Sequence, residues 1–333
     1  MNFTSVAILG SGSFGTAIAK VLAPKVEEIC MIGRDAEVVR GINEEHRNPR
    51  FLPGISLPEN IHATLDLGEV REHPLVIFAV PTSGTRAMAE AIAAGGLPKA
   101  TVLLSCAKGI EPDSGDRMSE VIGKVLVGHE VAVFSGPNHA EEMASGQATC
   151  VVIGAREAVV ADSLQALFTL PHFRPYTTDD LAGMELGGAI KNVYAIAAGM
   201  SHGLGLGDNA VAALVTRALA EMTRLGTALG GRPETFAGLS GVGDLIVTCF
   251  SKHSRNHRVG LALGEGKTLA EAIAEVGMVA EGVPNTLSIY QAARRAGVRT
   301  PILDAVYSIL YEDKAAARAM AELLTRSTRT ECE

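Results

Sequence analysis

The sequence predicts an α/β N-terminal domain with a doubly wound, mainly parallel sheet, followed by an all-α C-terminal domain. Three observations lead there. A glycine-rich turn, Gly10-Ser11-Gly12-Ser13-Phe14-Gly15, separates a short apolar run from a helix-patterned run close to the N-terminus. Further apolar runs then alternate with helix-period segments as far as residue 180, the pattern of a sheet covered on both faces. From Leu181 onward the strand pattern stops. A length of 333 residues suits two domains, here 1–180 and 181–333.

Ser5-Val6-Ala7-Ile8-Leu9 is an apolar run fit for a buried parallel strand. The glycine motif follows at once, Thr16–Leu22 has helical periodicity, and Ile29–Ile32 is the second strand. A glycine motif alone is weak evidence; inside such a βαβ unit it is specific, and it makes the first domain Rossmann-like. Gly10 permits the tight turn, Gly12 lets the backbone approach a pyrophosphate, and Gly15 lets helix and strand pack closely. The free N–H groups and the helix dipole then hold the anion. The second strand ends in Gly33-Arg34-Asp35. Arg34 suits the 2′-phosphate of NADP(H), whereas Asp35 leaves NAD(H) open.

Arg40 to Leu65 reads as a helix end and a loop punctuated by Pro49, Pro53 and Pro58. Leu75–Val80, Thr101–Ser105 and Val131–Phe134 are further buried strands, and Thr149–Ile153 and Arg174–Thr177 are outlying ones. Ligands of such sheets bind beyond the carboxyl ends of the strands. Lys108 and the turn Gly136-Pro137-Asn138-His139-Ala140 both lie at such ends, although each taken singly suits a surface lysine or a helix-initiating turn equally well.

Helices are expected at 181–201, 209–228, 255–264, 268–276, 284–296, 302–311 and 314–325, with Asp208 as an N-cap. In the first of them Leu186, Ile190, Val193 and Ala197 form one apolar face. Gly187, Gly188, Ala195 and Ala198 form a bare face around Lys191. Two adjacent glycines cost a helix roughly 1 kcal/mol each against alanine, so they imply close approach of a backbone or a ligand. A lysine there either has room for a substrate beside it or packs its stem on alanines with its ammonium in water. Leu239-Ser240-Gly241-Val242-Gly243-Asp244-Leu245, running on to Val247-Thr248-Cys249, reads as a loop. Ser254-Arg255-Asn256-His257-Arg258 opens a helix, and two arginines, a serine and an asparagine at a helix start make a phosphate trap or a solvated basic turn. His139, His202 and His257 have no sequence partner that suggests a triad or a metal site, and metalloprotease, nucleophile-elbow and P-loop patterns are absent.

The 29 lysines and arginines against 37 aspartates and glutamates give a formal charge of −8, which argues against broad nucleic-acid binding but not against a local anion pocket. Cys30, Cys106, Cys150, Cys249 and Cys332 are odd in number and irregularly spaced, which suggests neither a disulfide framework nor a metal site. No apolar run reaches a membrane span and no leader pattern precedes the first strand, so a cytoplasmic protein is expected. The small apolar helices of the second half are compatible with a homodimer.

Taken together, these motifs resemble the bacterial NAD(P)-dependent glycerol-3-phosphate dehydrogenases. The resemblance rests on Gly10–Gly15, Lys108-Gly109-Ile110-Glu111, Ser135-Gly136-Pro137, Gly188-Ala189-Ile190-Lys191-Asn192, Gly203–Asn209, Gly243-Asp244-Leu245, Ser254-Arg255-Asn256 and Ala280-Glu281-Gly282, and runs over nearly the whole chain. It implies reduction of dihydroxyacetone phosphate, a small phosphorylated substrate, to sn-glycerol 3-phosphate for phospholipid synthesis. It also implies that Lys191 is the catalytic acid–base and touches substrate. Lys108, Asp244, Ser254, Arg255 and Asn256 are the implied substrate ligands, with Gly136 and Asn138 contributing from their turn. Ser13, Phe14, Arg34, Lys108, Ala140, Arg255, Val279 and Glu281 are the implied cofactor contacts beside the three motif glycines, and Phe51 joins them. Phe14 stands where the family usually has tryptophan or tyrosine, and Asn138 where it has serine or threonine. His139 stands where it has phenylalanine or histidine and receives no catalytic role. Other two-domain enzymes of this build, such as β-hydroxyacid dehydrogenases or ketopantoate-type reductases, act on carboxylates, and a nonenzymatic nicotinamide sensor would make Lys191 incidental.

Overall fold

A computed structural model describes residues 1–325, 327 and 330. Cys332 and the last residues of the expected second domain lie outside the described residues. The first half contains β1 (Ser5–Leu9), α1 (Ser13–Leu22), β2 (Glu28–Ile32), α2 (Ala36–Glu45), β3 (Ile61–Thr64), β4 (Leu75–Phe78) and α3 (Thr82–Gly95). It continues with β5 (Val102–Ser105), α4 (Met118–Val125), β6 (Val131–Ser135), α5 (Ala140–Ala144), β7 (Thr149–Gly154), α6 (Ala158–Phe168) and β8 (Phe173–Thr178). These strands form one eight-stranded sheet in the order β3-β2-β1-β4-β5-β6-β7-β8, parallel throughout except between β6 and β7. Apolar side chains fill both faces, around Ile8, Ile18 and Phe134 on one and Leu9, Phe78 and Leu103 on the other. A parallel sheet buried on both faces needs such near-continuous apolar strands. The strand order reverses between β1 and β4, where Gly10 N–H donates to the Ile32 carbonyl and Ala79 N–H to the Leu9 carbonyl. A crevice opens at such a switch point.

β3 falls in the stretch expected to be loop. It is four residues long, begins three residues after Pro58, and pairs Ile29 with Ile61, burying only Ile61 and Ala63. So short an alternation is hard to distinguish from a loop residue by residue.

The helical half comprises α7 (Leu181–Gly203), α8 (Asp208–Ala228), α9 (Pro233–Phe236), α10 (Asp244–Phe250), α11 (Arg255–Gly264), α12 (Leu269–Val276), α13 (Gly282–Arg295), α14 (Pro301–Tyr311) and α15 (Ala316–Leu324). Three expectations change. Gly207, not Asp208, caps α8, and Asp208 sits inside the first turn, where its charge still complements the helix N-terminus. The supposed loop at 239–249 is a π-helical turn over Leu239–Gly243 followed by α10. The bare face of α7 is not open: every residue from Gly183 to Ser201 is buried. A helix buried on all sides is a core element, and the rest of the half packs around it.

Backbone contact explains the small residues. A Cβ on Gly199 would lie 2.1 Å from the His257 carbonyl oxygen, and one on Gly203 2.2 Å from that of Leu261. Reciprocally, a Cβ on Gly260 would lie 2.0 Å from the Ile196 oxygen and one on Gly264 2.4 Å from that of Met200. Glycines four apart on each helix therefore let α7 and α11 touch backbone to backbone. Gly260→Ala is expected to cost about 1–3 kcal/mol, because neither backbone can yield cheaply. Urea unfolding checks this; a variant as stable as the parent would show that the helices can separate freely.

Candidate active site

Lys191 lies midway along α7, 5% exposed, and its Nζ donates to Asp244 Oδ1 at 2.5 Å and to Thr248 Oγ1 at 2.6 Å. Asp244 opens α10, and Thr248, one turn on, donates its own proton to the Asp244 carbonyl. The other carboxylate oxygen accepts from Lys108 Nζ at 2.8 Å, and that ammonium also reaches the Gly136 carbonyl at 3.0 Å and Asn138 Oδ1 at 2.8 Å. A buried ammonium and a partly buried one thus share one carboxylate, leaving the cluster with an excess positive charge.

The adjacent glycines of α7 build this geometry. A Cβ on Gly187 would come 2.5 Å from the Ser240 carbonyl, so its absence seats the π turn and aims Asp244. A Cβ on Gly188 would come 3.3 Å from Lys108 Cγ, so its absence admits the Lys108 stem. The room beside Lys191 is therefore filled by protein on these two positions, contrary to the expectation of space for a ligand there.

Burial pushes the Lys191 ammonium down to about 8, helped by Lys108 and opposed by Asp244. For Asp244 burial acts upward, but the Lys108 and Lys191 ammoniums outweigh it and hold the carboxyl below its ordinary range.

The α11 start is tied to this cluster through Asn192, the neighbour of Lys191. Asn256 Nδ2 donates to Asn192 Oδ1 at 2.9 Å, and Asn256 Oδ1 accepts from Gly282 N–H at 2.8 Å. Ser254 Oγ caps the helix by accepting from His257 N–H. Arg258 turns away to the Glu275 carbonyl. That leaves Arg255, which makes no hydrogen bond or ion pair among the described residues; burial lowers its pKa, while Glu281 and Glu141 act against this. An unpaired, largely buried guanidinium at a helix N-terminus suits a dianion.

The dinucleotide motif lies at the switch point. Gly10 has φ +110°, and a Cβ there would meet the Ala79 oxygen at 2.8 Å. A Cβ on Gly15 would lie 2.0 Å from the Gly10 oxygen, whereas one on Gly12 would meet nothing within 4 Å. No side chain caps α1, so its first N–H groups face that opening. These residues fit a pyrophosphate. Ser13 Oγ donates to the Phe51 carbonyl at 2.7 Å, and Phe14 packs edge-on to Phe134. Buried Ala140 begins α5, which packs on α1. Asp35 accepts from Glu37 and Val38 N–H groups and pairs with Arg50, while exposed Arg34 has no such partner among the described residues. Glu281 accepts from Thr82 N–H at 3.1 Å and so ties the start of α13 to the start of α3; Val279 beside it is half exposed.

Two parts escaped the sequence reading. Thr248 is the second partner of Lys191, and its i+4 relation to Asp244 is visible only once 244–250 is a helix. Asn285 joins Asn192 on the Lys108 carbonyl.

Comparison with known proteins identifies the family. The sequence profile described as NAD-dependent glycerol-3-phosphate dehydrogenase N-terminus matches residues 5–161, and the one described as its C-terminus matches 180–321. The chain belongs to that family. Within the family, a glycerol-3-phosphate dehydrogenase of Nitratidesulfovibrio vulgaris strain Hildenborough, named as NAD(P)+-dependent, is 45% identical over 98% of this chain and 99% of its own length. The crystal structure of glycerol-3-phosphate dehydrogenase from Coxiella burnetii superposes with a TM-score of 0.93 at 37% identity, covering 97% of this chain and 99% of that one. A ketopantoate reductase from Ralstonia eutropha, 18% identical and covering 96% and 99% of the two chains, shares the fold at a TM-score of 0.63. Among the described residues no helix of this family member is long and apolar enough to cross a membrane, and Cys30, Cys106, Cys150 and Cys249 are free thiols.

Proposed function

We propose that the chain reduces dihydroxyacetone phosphate to sn-glycerol 3-phosphate with NADPH or NADH, supplying glycerophospholipid synthesis in the cytoplasm. In this reading residues 1–180 hold the dinucleotide and 181–333 hold the substrate. One observation carries it: the ammonium pair on Asp244 and the unpaired Arg255 are joined through Asn192 and Asn256. Nicotinamide, when bound, supplies the hydride. Lys191, protonated below about 8, gives its proton to the ketone oxygen, and Asp244 with Thr248 holds that ammonium in place. Lys108 adds positive charge where the oxygen becomes negative, while Gly136 and Asn138 orient Lys108. Arg255, with the backbone of Ser254–Asn256, anchors the phosphate and so fixes the carbonyl relative to Lys191. Ser13, Phe14, Phe51, Ala140, Val279 and Glu281 are assigned to the cofactor, around the cradle of Gly10, Gly12 and Gly15. Loss of nicotinamide absorbance on mixing purified protein, NADPH and dihydroxyacetone phosphate tests the assignment; no loss with either nicotinamide overturns it.

Arg34 supports acceptance of NADPH, because Asp35 is already engaged by the α2 cap and by Arg50. Arg34→Ala is expected to raise KM for NADPH by about 10–100-fold, the worth of a charge-assisted hydrogen bond, and to leave that for NADH unchanged. Equal effects on both coenzymes would remove the 2′-phosphate from its role.

A further inference from the structure

The loop between α2 and β3 is tied to the dinucleotide turn by side chains from both. Buried Asn48 donates from Nδ2 to the Ser11 carbonyl and to Thr16 Oγ1, each at 2.8 Å. In the other direction Ser13 Oγ donates to the Phe51 carbonyl at 2.7 Å. The end of β2 meets the same turn, since a Cβ on Gly33 would lie 2.8 Å from Ser11 Oγ. These ties bring Arg50, between Asn48 and Phe51, to the end of β2. Its Nη1 pairs with Asp35 Oδ2, and its guanidinium lies over the Phe51 ring, 5.2 Å from the centroid. Asp35 stands just past β2, where a dinucleotide fold reads the adenosine ribose. Arg50 therefore touches the residue at the ribose-reading position, and Arg34 is that residue's neighbour in the chain.

The ion pair is easily exchanged. The Arg50 side chain is 65% exposed, and an exposed pair adds little to stability. Asp35 does not depend on it, because Oδ1 caps α2 by accepting from the Glu37 and Val38 N–H groups. A phosphate dianion offers the planar fork of a guanidinium two parallel charge-assisted hydrogen bonds, whereas one oxygen of this carboxylate is already spent on the cap. We propose that Arg50 is a specificity-determining residue for the coenzyme, leaving Asp35 to close with Arg34 on the 2′-phosphate of NADP(H). This rests on the NADPH acceptance assigned to Arg34 above and adds a second arm to it. With NAD(H), which lacks that phosphate, Arg50 stays on Asp35 and neutralises it.

Binding without turnover tests this. Titration calorimetry compares adenosine 2′,5′-bisphosphate with adenosine 5′-monophosphate, which differ only in the 2′-phosphate. The parent protein is expected to bind the bisphosphate about 100-fold more tightly, roughly 10-fold for each arginine that bonds the dianion. Arg50→Gln keeps a stem to pack on Phe51 but loses the charge. It is expected to weaken the bisphosphate by about 10-fold and to leave the monophosphate within about twofold. Equal weakening of both ligands would reduce Arg50 to a brace for the loop and overturn the proposal. An unchanged preference would overturn it too. Arg34→Ala, measured alongside, separates the two readings. If that variant loses the preference and Arg50→Gln keeps it, the role of Arg50 falls and NADPH acceptance through Arg34 stands. A parent that shows no preference overturns both.

Discussion

Replacing Lys191 with alanine is expected to lower kcat for ketone reduction by about 10²–10⁴, the usual worth of a positioned general acid, while NADPH still binds. The ammonium sits at the centre of α7, held there by Asp244 Oδ1 and Thr248 Oγ1. The fold is expected to survive, since Asp244 keeps Lys108 as its partner at 2.8 Å. A pH profile separates this role from simple anchoring. Burial holds Lys191 at about 8, so in the parent kcat/KM for reduction falls as pH rises through that value and the proton is lost. The opposite direction, oxidation of the alcohol, needs the free amine and rises through the same window. In the alanine variant the residual reduction should lose that limb. Near-normal turnover, or a limb that persists near pH 8, would take the proton away from Lys191.

How far such a site can be read from sequence depends on whether its causes are local. The β1 turn is local: Gly15 is required by contact with Gly10 and Gly10 by the end of the neighbouring strand, with open space left at Gly12 between them, so motif and structure coincide. Lys191 among glycines was conspicuous for the same reason, yet the reason itself is not local. Gly187 answers to Ser240 and Gly188 to Lys108, positions far along the chain, and their bareness reads as open surface until those partners are in place. Likewise Gly241 and Gly243 disguised the 239–250 segment as a loop. A Cβ on Gly241 would sit 2.1 Å from the Phe236 carbonyl, so that glycine serves close packing of a π turn. With the turn misread, Thr248 fell out of phase with Asp244. Ser254 and Asn256 were legible as a polar helix start, but not the fact that their side chains cap and bridge within the protein, leaving Arg255 as the unpaired cation.

Asp244→Asn is expected to be the most damaging single change in both stability and catalysis. The carboxylate is 1% exposed and, among the described residues, is the one acidic group bonded to both ammoniums. Its amide replacement can accept from each but cannot neutralise either. Removing one partner from a buried ion pair typically costs about 3–5 kcal/mol, because the remaining charge is left uncompensated in a medium that solvates it poorly. The sign of the pH dependence identifies that cause. Without Asp244, which at present raises the Lys191 pKa, the folded value falls further below its unfolded one. Between those two values the unfolded chain binds more protons than the folded one, so stability increases with pH across that window. The deficit against the parent should therefore be full on the acid side of the variant's lowered Lys191 value and shrink as pH rises from there to about 8, where Lys191 of the parent loses its proton as well. Urea unfolding at a series of pH values measures it directly. The same shift should move the alkaline limb of reduction to lower pH, since Lys191 then gives up its proton more readily. A deficit independent of pH would instead indicate lost packing around α10, and an unmoved limb would mean that Asp244 does not set the proton affinity of Lys191.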